Sequence, residues 1–403
     1  MTLRRAAIVA PIRTAVGKFG GALAPLTAAQ LGAAVLKALI ERTDIDPSRV
    51  DDVVFAQGYG SGEAPAIGRW SWLAADLPIQ VPGYQLDRRC GSGLQAIVNA
   101  AMMVQTGASD IVVAGGCESM SNVEHYTTDI RQGVRAGSVT LHDRLTRGRM
   151  MSQPAERFGV ISGMIETAEN LARDYGITRE AADAYAVRSH QRAASAWDRG
   201  LFVDELVPVT VPQRKGAALV FARDEGYRAD ASIDSLGRLE PLEGGVVTAG
   251  NASQQNDAAA ACLVVAEDKL AEFGLEPIAW FHSWAAAGCH PARMGLGPVP
   301  SVARLFARTG LSWNDIDLIE LNEAFAPQVL AVLKNWGWSE NDSRHDMLNV
   351  NGSGISLGHP IGATGGRILA NLTRELQRRG GRYGLETMCI GGGQGIAAVF
   401  ERA

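Results

Sequence analysis

The strongest constraint on the fold is a pattern that the chain carries twice. Cys90-Gly-Ser-Gly opens a stretch over residues 94–106 rich in Ala, Met, Val and Gln, mostly good helix formers. The apolar strand of residues 111–114 follows and ends in Gly115-Gly116. Near the other end, His359-Pro-Ile-Gly-Ala-Thr-Gly opens a helical stretch to Arg378. There too a strand follows, over residues 383–389, and ends in Gly391-Gly392-Gly393. Turn, helix, strand and glycine pair in the same order suggest two copies of one unit. Each copy has further strands and helices around it: strands at 6–10 and 50–56 with a helix at 28–42, and a strand at 317–321 with a helix at 327–335. Such alternation predicts an α/β chain built on parallel sheet covered by helices.

Residues 122–253 break this rhythm. After a loop they give two helices, one over 161–175 that stops at Gly176, and one that Thr178 caps, Glu180 favours in its first turn and Gly200 ends. The expected organisation is therefore 1–121 together with about 254–275 as one half, 122–253 as an inserted loop domain, and 276–403 as the second half. At 403 residues, 46% of them hydrophobic, the chain can fill a large core of two or three domains. Acids exceed bases by 43 to 38, so no global field favours nucleic acid. Five cysteines spread from Cys90 to Cys389 argue for free thiols in a reducing compartment, with the cytoplasm expected. No CxxC pair or HExxH helix suggests a metal site, and no apolar run is long enough for a membrane span. The arginines 131, 135, 144, 147 and 149 stand against one acid, Asp143. They read as a solvated or subunit-contact surface, with the phosphates of a ligand as the other reading.

The two glycine-rich turns also carry chemistry. Cys90 lies where an extended stretch, 81–88, turns into a helix, with Gly91 and Gly93 permitting a sharp turn. A thiol there faces unpaired N–H groups and the positive end of the helix dipole, which favour thiolate. His359 sits among residues suited to backbone contortion. Cys389 ends a strand before a loop of bare backbone, and Asn322 follows the apolar strand of residues 318–321. A Cys, a His, a second Cys and an Asn, each at a strand end or a glycine-rich loop, form an unusual constellation.

With these motifs the chain resembles the thiolases over essentially its whole length. The resemblance also rests on Gly115-Gly-Cys-Glu-Ser-Met-Ser121, Thr167-Ala-Glu-Asn170, Thr248-Ala-Gly-Asn-Ala-Ser253, Gly295-Leu-Gly-Pro-Val-Pro300 and Asn322-Glu-Ala-Phe325. It implies the thiolase fold: duplicated αβα halves forming a five-layer αβαβα core with an inserted loop domain. The implied activity is the reversible condensation of two acetyl-CoA to acetoacetyl-CoA and CoA, with thiolysis of longer 3-ketoacyl-CoA in fatty-acid degradation as the alternative. Cys90 would carry the acyl group and His359 would take its proton. Cys389 would move the α-proton. The N–H groups of Cys90 and Gly391 would hold one oxyanion, and His359 with a water on Asn322 the other. Arg228, Ser235 and Ser253 fall where the family contacts coenzyme A, and Met164, Met294 and Phe325 where it lines the acyl pocket. No cofactor is implied, coenzyme A being a substrate, and the expected assembly is a homodimer or homotetramer.

Three departures bear on acyl length. Gln254-Gln255-Asn256-Asp257-Ala258 replaces a common Gly-Leu/Ile-Asn-Asp-Gly, Gly163-Met-Ile-Glu166 lacks the His-Met-Gly of many short-chain members, and 61–69 differs from Gln-Asn-Pro-Ala-Arg. A competing fingerprint, Gly91-Ser-Gly-Leu-Gln-Ala96 with Asp110 beyond it, fits dinucleotide binding but leaves Cys90, His359 and Cys389 without roles. The related decarboxylating condensing enzymes use a second His or an Asn, and Cys389 speaks against them.

Overall fold

In a computed structural model of the chain, residues 3–339 and 341–403 are described. The principal strands are β1 (Ala6–Thr14), β2 (Asp52–Ala56), β3 (Gly83–Leu86), β4 (Ile111–Ser119), β5 (Asn256–Ala266), β6 (Ala279–Gly288), β7 (Leu318–Leu321), β8 (Tyr383–Ile390) and β9 (Gln394–Arg402). The principal helices are α1 (Ala28–Thr43), α2 (Ile67–Ala74), α3 (Ser92–Gln105), α4 (Arg144–Met150), α5 (Met164–Tyr175), α6 (Arg179–Asp198), α7 (Pro298–Thr309), α8 (Ala326–Asn335) and α9 (Ile361–Arg379).

The strands hydrogen-bond in the order β7-β8-β9-β6-β1-β5-β4-β2-β3, two half-sheets joined where β1 meets β6. That seam has three pairs, Ala6↔Phe281, Ala7↔Trp280 and Ile8↔Ala279. Only part of each half is parallel: β3 with β2, β2 with β4, and β7 with β8. The β4–β5, β5–β1, β9–β6 and β8–β9 pairs are antiparallel, against the all-parallel expectation. For β8 and β9 the reason is connection length, because Gly391–Gly393 joins them as a tight hairpin, and a hairpin can make only antiparallel neighbours.

Three apolar cores separate the layers. One packs α1 and α2 on the outer face of the first half-sheet, with Leu31, Val35, Leu36, Val53 and Phe55 fully buried. The third packs α7 and α8 on the outer face of the second, around Leu305, Leu321, Val329 and Leu385. Between the two half-sheets lies the central core of α3 and α9, which takes Leu94, Ile97, Ile368 and Leu372 from the helices and residues from both sheets. The result is the expected α-β-α-β-α order.

The central helices touch through their glycines. A methyl on Gly365 would stand 2.0 Å from Leu94 N, and one on Gly93 2.8 Å from both Gly362 O and Gly365 N. Two helices that begin at the site therefore approach backbone to backbone there, which fixes the distance between their first turns. Helix α6 starts as the sequence predicts, with the Thr178 hydroxyl accepting from Ala181 N, and Gly200 beyond its end adopts φ +68. Helix α5 starts at Met164 and not at 161, because Gly163 is extended and Glu166 reaches back to accept from Ser162 N at 2.6 Å.

Candidate active site

Cys90 sits in a single 3₁₀ turn, Arg89–Gly91, that runs directly into α3. The turn is tight enough to hold Arg89 at φ +49, a region that side chains rarely adopt. Two side chains compensate: Asp87 accepts from Arg89 N (2.6 Å), and the Ser92 hydroxyl accepts from Arg88 N (2.7 Å) while donating to Arg89 O (2.6 Å). Strain maintained by local hydrogen bonds is a common property of functional turns. The backbone N–H groups of Gly391 and of Cys90 itself act on the thiol and favour its anion.

His359 precedes α9, buried at 6% exposure, with its backbone N donating to Asn256 Oδ1 (2.9 Å). Its Nδ1 lies 2.7 Å from the hydroxyl of Thr364, and that hydroxyl donates its one proton to Pro360 O at 3.0 Å. Thr364 can therefore only accept from the ring, which puts the proton on Nδ1 and leaves a lone pair on Nε2. Asn322 Nδ2 stands 3.5 Å from that Nε2, and Asn322 Oδ1, fully buried, has no partner among the described residues. Burial, helped by the charges of Arg367 and Arg149, pushes the imidazole down to about 3. The ring is thus a neutral base at any ordinary pH.

Burial likewise raises the Cys90 thiol above its ordinary range, opposed by Gly391 N–H, Arg89 and Arg149. The helix N-terminus and the Gly391 N–H favour the anion, as the sequence suggests, without making it the resting form. Desolvation outweighs the local dipoles, so the resting pair is thiol and neutral imidazole. Cys389, at 0% exposure, is held further up by burial and by its neighbours Cys90 and Cys289. The resting Cys389 thiol is therefore protonated and suited to donate.

A cleft of about 410 Å³ is lined by Cys90, His359 and Gly391 together with Met164, Met294, Phe325 and Ser253. Cys389 lies just behind this lining, in an apolar cluster with Met294, Phe325 and Met164. Arg228 and Ser235 are exposed outside it, Ser235 occupied in a reciprocal cap with Ser232. Backbone geometry separates Gly391, which lines the cleft, from the two glycines after it. A methyl on Gly391 would meet nothing nearer than 3.6 Å, whereas Gly392 and Gly393 take φ +87 and +85 and a methyl on Gly393 would strike Cys289 O at 2.3 Å.

Sequence reasoning missed several side chains. Glu118 accepts from Gly58 N (2.8 Å), Tyr59 N (3.3 Å) and Gly362 N (3.0 Å), tying the cleft floor to the first turn of α9. Glu323 accepts from Tyr185 (2.9 Å) and Ser189 (2.6 Å) of α6 and from Asn349 (3.0 Å), fastening the Asn322 loop. The arginine run divides: Arg131 and Arg135 are exposed, Arg144 pairs with Glu124 at 3.1 Å, Arg147 lies over Tyr126, and Arg149 enters the cleft. For Arg149 the surface reading is corrected. Among the described residues no group of His, Cys, Asp and Glu could hold a metal ion, and no helix is long and apolar enough to cross a membrane.

Residues 6–268 match the family model described as thiolase, N-terminal domain, and residues 275–402 the one described as thiolase, C-terminal domain. The chain is 47% identical to the acetyl-CoA acetyltransferase of Chromobacterium violaceum, over 98% of this chain and 99% of that one. Among solved structures, the acetyl-CoA acetyltransferase of Bacillus anthracis superposes with a TM-score of 0.94 at 40% identity, covering all of both chains. Human mitochondrial 3-ketoacyl-CoA thiolase in complex with CoA gives 0.91 at 37% identity, over 100% of this chain and 99% of that one.

Proposed function

The chain belongs to the thiolase family, and from that premise we propose that it is an acetyl-CoA acetyltransferase, joining two acetyl-CoA into acetoacetyl-CoA and CoA and running readily in reverse. The observation that carries this reading is the convergence of the Cys90 thiol, the unprotonated Nε2 of neutral His359 and the Gly391 N–H on one cleft, with the Cys389 thiol behind its wall. The near full-length identity to acetyl-CoA acetyltransferases supports the short-chain choice.

His359 Nε2 takes the Cys90 proton as the thiol attacks an acetyl-CoA carbonyl and returns it at the end of the cycle, and CoA leaves with a proton from Cys389 as acetyl-Cys90 forms. The N–H groups of Cys90 and Gly391 receive the charge that develops on the carbonyl oxygen. The Cys389 thiolate left by that transfer then takes an α-proton from a second acetyl-CoA. Its enolate, held by His359 and a water on the orphan Asn322 Oδ1, attacks acetyl-Cys90 and releases acetoacetyl-CoA. In thiolysis the protonated Cys389 thiol donates to the departing enolate, the direction its elevated pKa favours. Coenzyme A is a substrate, with Ser253 lining the cleft and the exposed Arg228 and Ser235 assigned to it by the family resemblance. The reading extends to a cytoplasmic homodimer or homotetramer, supported by the family resemblance and the unpaired thiols.

Intact-protein mass spectrometry after incubation with acetyl-CoA tests the core of this. One acetyl group is expected on the parent and none on C90S, and an adduct surviving in C90S removes Cys90 from its role. C389S should still acylate but lose about 10² to 10⁴ in turnover both ways. Thiolysis of 3-ketoacyl-CoA of four, eight and twelve carbons decides acyl length. Tenfold or greater preference for the longer chains would make this a fatty-acid degradation enzyme.

A further inference from the structure

Arg149 is a cation that the proposed chemistry does not use. It projects from the last turn of α4 into the cleft, half-buried, and its charge is felt by Cys90, His359 and Tyr59. Its partners are neutral. With the Gln255 amide oriented to satisfy both groups, Oε1 accepts from Nη2 at 3.1 Å and Nη1 at 3.3 Å, and the Tyr59 hydroxyl lies beside it. Among the described residues it makes no ion pair, whereas Arg144 of the same helix pairs with Glu124. The other charged side chains on the lining are Arg89, also a cation, and Glu243, which sits with Glu166 and Glu169 on another part of the wall.

A half-buried guanidinium beside the nucleophile without a counter-ion asks for an anion from the substrate. The phosphates of coenzyme A cannot be that anion. The whole pantetheine arm separates them from the thioester, and an arginine within electrostatic reach of Cys90 stands at the reacting end. What remains is a charge on the acyl group, or the transient Cys90 thiolate.

On the reading of the site given above, we propose that Arg149, positioned by Gln255, is a carboxylate subsite, and that the enzyme also cleaves 3-oxoacyl-CoA whose acyl chain ends in a carboxylate. Cys90 attacks the 3-keto carbon and the C2–C3 bond breaks. Its electron pair takes a proton from Cys389 at C2, giving acetyl-CoA. The ω-carboxyacyl group on Cys90 passes to the sulfur of incoming CoA, whose proton returns to the enzyme. One 3-oxodiacyl thioester and one CoA thus become a diacid monothioester and acetyl-CoA, with no oxidant or reductant needed. The enzyme would follow a dehydrogenase that makes the 3-oxo group on a dicarboxylic thioester.

The test compares kcat/KM for thiolysis of two six-carbon substrates, 3-oxoadipyl-CoA and the uncharged 3-oxohexanoyl-CoA, with acetoacetyl-CoA as reference. The parent should prefer the charged substrate. R149M should lower the charged-to-neutral ratio at least about 30-fold, and R149K should restore part of it. A parent that prefers 3-oxohexanoyl-CoA overturns the proposal. So does an R149M variant that slows both substrates equally, which would assign Arg149 to the Cys90 thiolate. If no 3-oxoacyl-CoA is cleaved at all, acetoacetyl-CoA included, it is the thiolase reading that fails. Circular dichroism of R149M separates a lost subsite from a lost fold.

Discussion

One hydroxyl decides which nitrogen of His359 does the work. Thr364 spends its proton on Pro360 O and so accepts from Nδ1–H, which leaves Nε2 to act as base. T364V removes that preference while keeping the side chain's shape. It is expected to lower kcat about 10- to 100-fold with a smaller change in KM, and T364S should rescue it. If T364V matches the parent at every pH, the ring is oriented by something else. A second expectation follows from the raised Cys90 thiol and the His359 imidazole at about 3. Iodoacetamide should alkylate Cys90 at a rate that climbs about tenfold per pH unit from 6 to 9. A flat rate over that range would mean a standing thiolate–imidazolium pair. At this scale the reactive residues were legible because Cys90, His359, Asn322 and Cys389 stand beside glycines or at strand ends. Thr364 was within reach, five residues past His359 in the same motif. Arg149 was not, because nothing in its neighbours distinguishes it from Arg131 or Arg135, and only the placement of α4 brings it inside.

The elements that matter most are α3 and α9, because each begins at the site and they cross on glycine. G365A should destabilise the chain by at least about 3 kcal/mol, since the added methyl meets Leu94 backbone that cannot move aside. G237A, whose methyl meets open space, should stay within about 0.5 kcal/mol. Urea melts of the two variants check the pair, and equal midpoints would refute backbone contact at the crossing. Capping chemistry made α6 readable to within a residue, from Thr178 to the stop near Gly200. It did not do so for α5, where the first apolar residue of the pattern, Ile161, lies outside the helix in a loop closed by Glu166. Strand direction was the least legible property. Periodicity finds a strand but not the sense of its neighbour, which the Gly391–Gly393 turn decides.

For the molecule as a whole, buried titratable groups set the pH range of stability. His359, at about 3, and His190, at about 4, are neutral in the fold and protonate more readily when unfolded. Their contribution is present above pH 6.5 and is lost as pH falls through that value towards 4. Glu118 and Glu320 are pushed the other way by burial, to about 7 and about 8. The fold holds their protons longer than the unfolded chain does, so stability declines as pH rises from about 4.5 through those values. The melting temperature should therefore peak near pH 6, and E320Q should flatten its alkaline side. A parent curve that rises steadily from pH 5 to 9 would contradict this. The five layers themselves were legible only through the family resemblance; the repeated unit announces two halves but not that their sheets join at β1 and β6. That duplication also has a temporal side. The nucleophile is made in the first quarter of the chain, while its base, its oxyanion donor and its proton shuttle are all encoded within the last forty-five residues or so. A growing polypeptide can thus complete its first half, with Cys90 already in its turn, long before that thiol has anything to ionise it. Translation order thus separates the nucleophile from the groups that serve it, and the acyl-transfer site exists only once the tail has docked.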